Sequence, residues 1–101
     1  MKLKKAITKD GKKITELKLD FDKITGNDII ASEKEARLMG DTTPDVCYSK
    51  IFQAIIVAKA ANQPLIADDI MAMNGMDFIS LTTQAANFLF GWALPGVLAN
   101  N

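Results

Sequence analysis

Residues 3–21 read LKKAITKDGKKITELKLDF, and this stretch decides the fold class. Leu3, Lys5 and Ile7 alternate with Lys4, Ala6 and Thr8. After the turn, Thr15, Leu17, Leu19 and Phe21 alternate with Ile14, Glu16, Lys18 and Asp20. A period of two is the signature of a half-buried strand. Asp10-Gly11 between the runs marks a tight turn, so the segment predicts an antiparallel hairpin over 3–21. A two-residue loop would split the apolar residues between the two faces. A three-residue loop of Lys9, Asp10 and Gly11 sets Leu3 opposite Leu17 and Lys4 opposite Glu16, and is the expected turn. Leu3, Ile7, Leu17, Leu19 and Phe21 then face the core, and the lysines meet water.

The rest of the chain reads as helix. Thr25 caps a first helix over about 26–39, with Asp28 in its first turn and Gly40 as its stop. Ile29, Ala36 and Met39 share one face, while Glu33 and Arg37 form an i, i+4 pair. Thr43-Pro44 opens a second helix over about 44–62. Cys47, Ile51, Ala54, Ile55 and Ala58 lie on one side of it and Ser49, Lys50 and Gln53 on the other. Ile56 and Val57 fall on that polar side, so the second half of this helix is apolar nearly all round and is either central or part of an interface. A short helix over 66–73 and a last one over 75–91, with Asn74 as N-cap and Asp77 at N3, complete the set. The fold class is therefore α+β: an N-terminal antiparallel β-hairpin followed by a bundle of three to four helices. One domain over 1–92 and a flexible tail over 93–101 are expected.

Composition excludes most chemistry. The chain has 101 residues, 49% apolar and 24% charged, with formal net charge zero. It has no histidine and a single cysteine, Cys47, which leaves no Cys/His zinc site, no internal disulfide and no histidine-assisted nucleophile. Cys47 reads as a small core residue. Asp28, Glu33 and Glu35 read as a solvated helix face rather than a catalytic carboxylate pair. Asp68, Asp69, Asn74 and Asp77 lack calcium-loop spacing. No catalytic, cofactor or metal site is expected. The basic start has no apolar core of a secretory signal, and residues 85–99 are interrupted by Asn87, Gly91, Pro95 and Gly96, so neither a signal nor a membrane span is read. A lone cysteine agrees with a reducing cytoplasm.

Charge is segregated along the chain. Residues 1–18 hold seven lysines against Asp10 and Glu16, a balance of +5, so the remainder carries −5. The lysine face lacks arginine and any exposed aromatic for base stacking, and solubilising a sheet edge is the commoner use of such lysines, so nucleic acid is not an expected partner. From residue 78 to residue 101 no side chain is charged. On the last helix Ser80, Thr83, Gln84, Asn87 and Asp77 form one polar arc, and the apolar residues cover nearly all the rest, about twice the stripe an ordinary surface helix needs. Part of that excess is core. The remainder predicts docking onto a partner helix or onto a second copy of the chain, with Ile56, Val57, Phe88, Phe90 and Trp92 as candidate contacts. Each is also a plausible core residue, Phe88 above all.

The order LKKAITKDGKKITELKLDF, ITGNDIIASEKEARLMG, FQAIIVAKAANQP and MNGMDFISLTTQAANFLFG resembles the tail assembly chaperones of long-tailed, Mu-like bacteriophages and prophages. The resemblance covers about residues 3–91. It rests on the K-x-I-T-x-L strand, the T-G-x-D-I-I-x-x-E-K-E-A helix start and the closing D-F…N-F-L-x-G helix. The Asp68-Asp69 segment and residues 92–101 match less clearly. The resemblance implies a non-catalytic protein of the host bacterial cytoplasm. Such a protein binds the apolar, helical tape-measure protein, keeps it soluble while tail-tube subunits polymerise around it, and is absent from the finished tail. Many relatives also have a longer, frameshifted form. A small homo-oligomeric structural or adaptor subunit of a phage would show the same apolar excess.

Overall fold

The computed structural model describes residues 1–91. Its order is strand β1 (Lys2–Lys9), strand β2 (Lys12–Glu16), helix α1 (Gly26–Leu38), helix α2 (Lys50–Ala60), helix α3 (Ala67–Met71) and helix α4 (Gly75–Phe90). Single 3-10 turns stand at Phe21–Lys23 and Val46–Tyr48. The architecture is α+β, a two-stranded antiparallel hairpin followed by four helices.

Helix α2 is the centre. Of its residues Phe52, Gln53, Ala54, Ile55, Ile56, Val57, Ala58 and Ala60 are all buried. Helices α1, α3 and α4 and the turn before it each pack against it. The helix opens at Ser49, whose hydroxyl accepts from the Phe52 N–H, six residues later than expected from Thr43-Pro44. Thr43 is itself held by Asp41, whose Oδ1 accepts from its N–H and hydroxyl. With Asp41 occupying the cap group of Thr43, the chain makes the Val46–Tyr48 turn before the helix starts. Cys47 consequently sits in that turn rather than on an α2 face, half-buried, and burial pushes its thiol pKa up.

Helix α1 forms as its caps dictate. Thr25 and Asp28 make a reciprocal capping box. At the other end Gly40, with φ of 96°, donates to Arg37 O, and Asp41 donates to Ala36 O. This pair of bonds closes the helix on a left-handed residue, a conformation glycine adopts without steric cost.

The hairpin corrects the expected turn. Asp10 and Gly11 both have positive φ, 52° and 81°, which makes a two-residue primed turn rather than a three-residue loop. Lys9 pairs with Lys12, Thr8 with Lys13 and Ile7 with Ile14. The face conflict of that register is relieved by a shift between Lys2 and Ile7, after which Lys2 pairs with Glu16. Leu3, Ile14 and Leu17 are all buried as a result, with Ile7, Leu19 and Phe21 packed partly against the same core. The strand pairing also ends earlier than residue 21. Lys18 O accepts from Asn62 N–H and Asp20 N–H donates to Ala60 O, so residues 18–20 pair with the end of α2 instead.

The irregular ladder leaves two strand donors for another group. Asp77, only 1% exposed, takes both: its carboxylate accepts from Lys4 N–H at 2.9 Å and Lys5 N–H at 3.1 Å. It thereby fastens β1 to the start of α4. Asn74 caps that helix, accepting from the Met76 and Asp77 N–H groups. A second tie joins the hairpin tip to α3, where Lys9 Nζ donates to Asp69 at 2.9 Å.

Two outcomes follow from these ties. Asp77→Ala removes a buried acceptor from two partly buried backbone donors and should cost about 2 kcal/mol in urea unfolding, with Asp77→Asn, which keeps one acceptor, between it and the parent. Three carboxyl groups are held below the ordinary aspartate range: Asp28 by the Thr25 N–H, Asp41 by the Thr43 hydroxyl, and Asp69 by the Ile66 N–H and the Lys9 ammonium. A depressed folded pKa contributes stability that is complete above the unfolded value of about 3.9 and is lost as pH falls through the folded value. Melting temperatures should therefore hold from pH 7 to about 5 and decline below about pH 4, with a shallower decline in Asp69→Asn.

Candidate interaction surface

Helix α4 divides its apolar residues between two tasks. Leu81, Thr82, Ala85 and Ala86 are buried against the domain, and Phe78, Phe88 and Leu89 are packed partly against the core. Thr82 is buried because its hydroxyl donates back to the Phe78 carbonyl at 2.9 Å and accepts from Lys50 Nζ at 3.3 Å. Ser80 and Thr83 are exposed, while Gln84 and Asn87 are half-buried. Asp77, expected on the same polar arc, instead turns inward to β1.

The candidate contacts separate sharply. Ile56 and Val57 have no exposed surface at all, so no outside partner reaches them; their place on the polar side of α2 reflects a helix covered all round. Phe88 is half-buried and stacked on Phe21, with ring centroids 5.0 Å apart and planes 14° from parallel, which ties the end of α4 to the chain leaving the hairpin. Phe90 is half-buried beside Tyr48, its ring centroid 4.7 Å away and tilted by 48°. Trp92 lies outside the described residues, as do residues 93–101.

The apolar groups that do reach solvent are mostly others. Ile79 is 54% exposed and lies eleven residues before Phe90, which at 100° per residue brings the two within about 20° on one stripe of α4. Tyr48, 62% exposed, extends that stripe beside Phe90. Met76 also stands out at the first turn of α4. On the outer side of α1, Ile30 is 63% exposed and Leu38 88% exposed. Both were legible on a helical wheel, since Leu38 falls 200° from buried Ala36 and Ile30 falls 100° from half-buried Ile29.

Lys2, Lys4, Lys5, Lys12 and Lys13 are exposed on the hairpin. Among the described residues no group of three histidine, cysteine or carboxylate side chains is placed to hold a metal ion. No helix among them is long and apolar enough to cross a membrane.

Comparison with protein-family models, with curated proteins and with solved structures finds no match for this chain.

Burial assigns opposite responses to the candidate residues. Ile56→Ala should cost about 2–5 kcal/mol in chemical unfolding, the range for truncating a fully buried aliphatic side chain. Ile79→Ser should stay within about 0.5 kcal/mol of the parent, because its side chain already meets water.

Proposed function

We propose that this chain is a tail assembly chaperone of a long-tailed bacteriophage or prophage. In this reading it is a non-catalytic protein of the host cytoplasm. It binds the apolar helical tape-measure protein and holds it soluble until tail-tube subunits enclose it, and it is not retained in the mature virion. The observation that carries the reading is the order of three sequence patterns, K-x-I-T-x-L, T-G-x-D-I-I-x-x-E-K-E-A and D-F…N-F-L-x-G, over residues 12–91.

Two physical features support it. The first two patterns encode structural parts: strand β2 with buried Ile14, followed by buried Leu17, and the capping box of α1. A chaperone for a long helix also needs an apolar stripe beside a well-solvated remainder. Ile79 and Phe90 on α4, with Tyr48 of the Val46–Tyr48 turn beside Phe90, supply a stripe, and the hairpin lysines supply solubility. An amphipathic helix laid along α4 would cover Ile79 and Tyr48 with anchors spaced at helical intervals.

Co-expression with the long tape-measure open reading frame of the same phage or prophage tests the reading. The tape-measure protein should be soluble only in the presence of this chain and should co-purify with it. Ile79→Ser combined with Phe90→Ser should abolish co-purification while the variant keeps its helical circular dichroism. A tape-measure protein that is soluble alone and never co-purifies would reject the proposal.

A further inference from the structure

The stripe on α4 runs to the point where the described chain ends. Met76 and Ile79 are 60% and 54% exposed, Thr83 is exposed, and with Phe90 they fall within about 60° of each other around the helix. Tyr48 widens the stripe beside Phe90. None of these side chains is charged. Gly91 closes the helix with φ of 69°, and its N–H donates to Phe88 O at 3.3 Å. A left-handed residue in that place turns the chain off the helix axis, and the residue after it commonly packs back on the last helical turn. Ten residues follow, and residues 92–98 read WALPGVL. They are uncharged and nearly all apolar. Pro95 disfavours a continued helix and biases Leu94 toward an extended backbone.

We infer that residues 92–98 fold back along α4 as an extended strap and cover this stripe in the isolated chain. Chain length sets the occupant. Ile79 stands twelve residues before Gly91, about 18 Å back along the axis. An extended chain advances about 3.3 Å per residue, so about six residues span that distance. Trp92, Leu94 and Leu98 share one side of an extended chain, which sets Trp92 and Leu94 over Phe90 and Tyr48 and Leu98 over Ile79. The strap brings no charge onto an uncharged surface, so nothing ionic is desolvated. Because it is tethered at Gly91, it competes at a high effective concentration against a second copy or a separate helix. The strap is a property of the chain alone, and it rests on the chaperone reading only for what displaces it. That displacing group is a tape-measure helix, whose apparent affinity is then lowered in proportion to the open fraction.

Trp92 is the chain's single tryptophan, so its emission reports on the strap directly. In the purified full chain at low micromolar concentration, that emission should be blue-shifted and several-fold less quenched by acrylamide than N-acetyltryptophanamide. Ile79→Ser combined with Tyr48→Ser should return the quenching toward the free value while helical circular dichroism is kept, because both side chains lie at the surface. Leu38→Ser on α1 should leave the quenching unchanged. In a Cys47→Ala background, Ile79→Cys with Leu98→Cys should form an intramolecular disulfide under mild oxidation, faster than Ile30→Cys with Leu98→Cys. Free quenching of Trp92, protection indifferent to the Ile79 and Tyr48 changes, or cross-linking no faster at residue 79 than at residue 30 would overturn the inference. So would protection that grows with protein concentration, which would seat the strap on a second copy. These readings use the chain without any partner, so their failure is separate from failure of tape-measure co-purification.

Discussion

Helix α2 has to be covered on every side, and the remaining elements are arranged by that requirement. Phe52, Ala54, Ile55, Ile56 and Val57 leave no stripe for water. An ordinary surface helix buries one face of somewhat over 100°, whereas α2 buries the whole circumference of its central turns. Burying Phe52, Ile55 and Ile56 contributes about 2–3 kcal/mol each, an upper figure for extended reference chains. Three helices are needed to achieve this, and α1, α3 and α4 each take a side. The strand segment at 18–20 closes the C-terminal end by pairing with Ala60 and Asn62, and Lys23 Nζ donates to Ala61 O there as well. A chain of this size has little apolar surface to spare once such a helix is enclosed.

The hairpin is joined to this bundle by polar contacts as much as by apolar ones. A primed two-residue turn fits the right-handed twist of the strands, but it puts odd and even residues opposite each other. Leu3, Ile14 and Leu17 do not lie on one face of a regular ladder in that register. Shifting the register between Lys2 and Ile7 restores their common burial, and the strand donors left over are taken by Asp77. A buried carboxylate with two charge-assisted bonds is stable where an unpartnered one would not be. Asp77 lies in the first turn of α4, so this side chain fastens β1 to the start of that helix. Lys9 and Asp69 hold the far end of the hairpin to α3 across a partly exposed contact that contributes less.

Enclosing α2 also accounts for most of the apolar excess of α4. Leu81, Ala85 and Ala86 face the bundle, Phe88 stacks on Phe21, and Phe90 rests by Tyr48. The large apolar side chains most exposed among the described residues are Ile79 and Met76 on α4, Tyr48 in the turn before α2, Ile66 before α3, and Ile30 and Leu38 on α1. The exposed lysines of the hairpin discourage other strands from adding to the sheet.

Local chemistry was enough to determine the class of fold, the N-caps of α1 and α4 and the stop at Gly40, since each depends on residues within one or two turns of each other, while it left α2 open between a central place and an interface. Ile30 and Leu38 could also be placed outside by helical angle alone. Two further features depended on distant partners, and one on a competing local bond. The N-cap of α2 moved from Thr43 to Ser49 because Asp41 captured Thr43. The hairpin turn followed the backbone preference of Asp10 and Gly11, and the face conflict was relieved by a shift in the ladder whose leftover donors Asp77 takes from more than seventy residues away. Ile56 and Val57 left the list of contacts because enclosure by three helices, not the polarity of their own helical face, decides what water can reach. Periodicity reports which side of an element is apolar; only the assembled neighbours decide how much of that side is left uncovered.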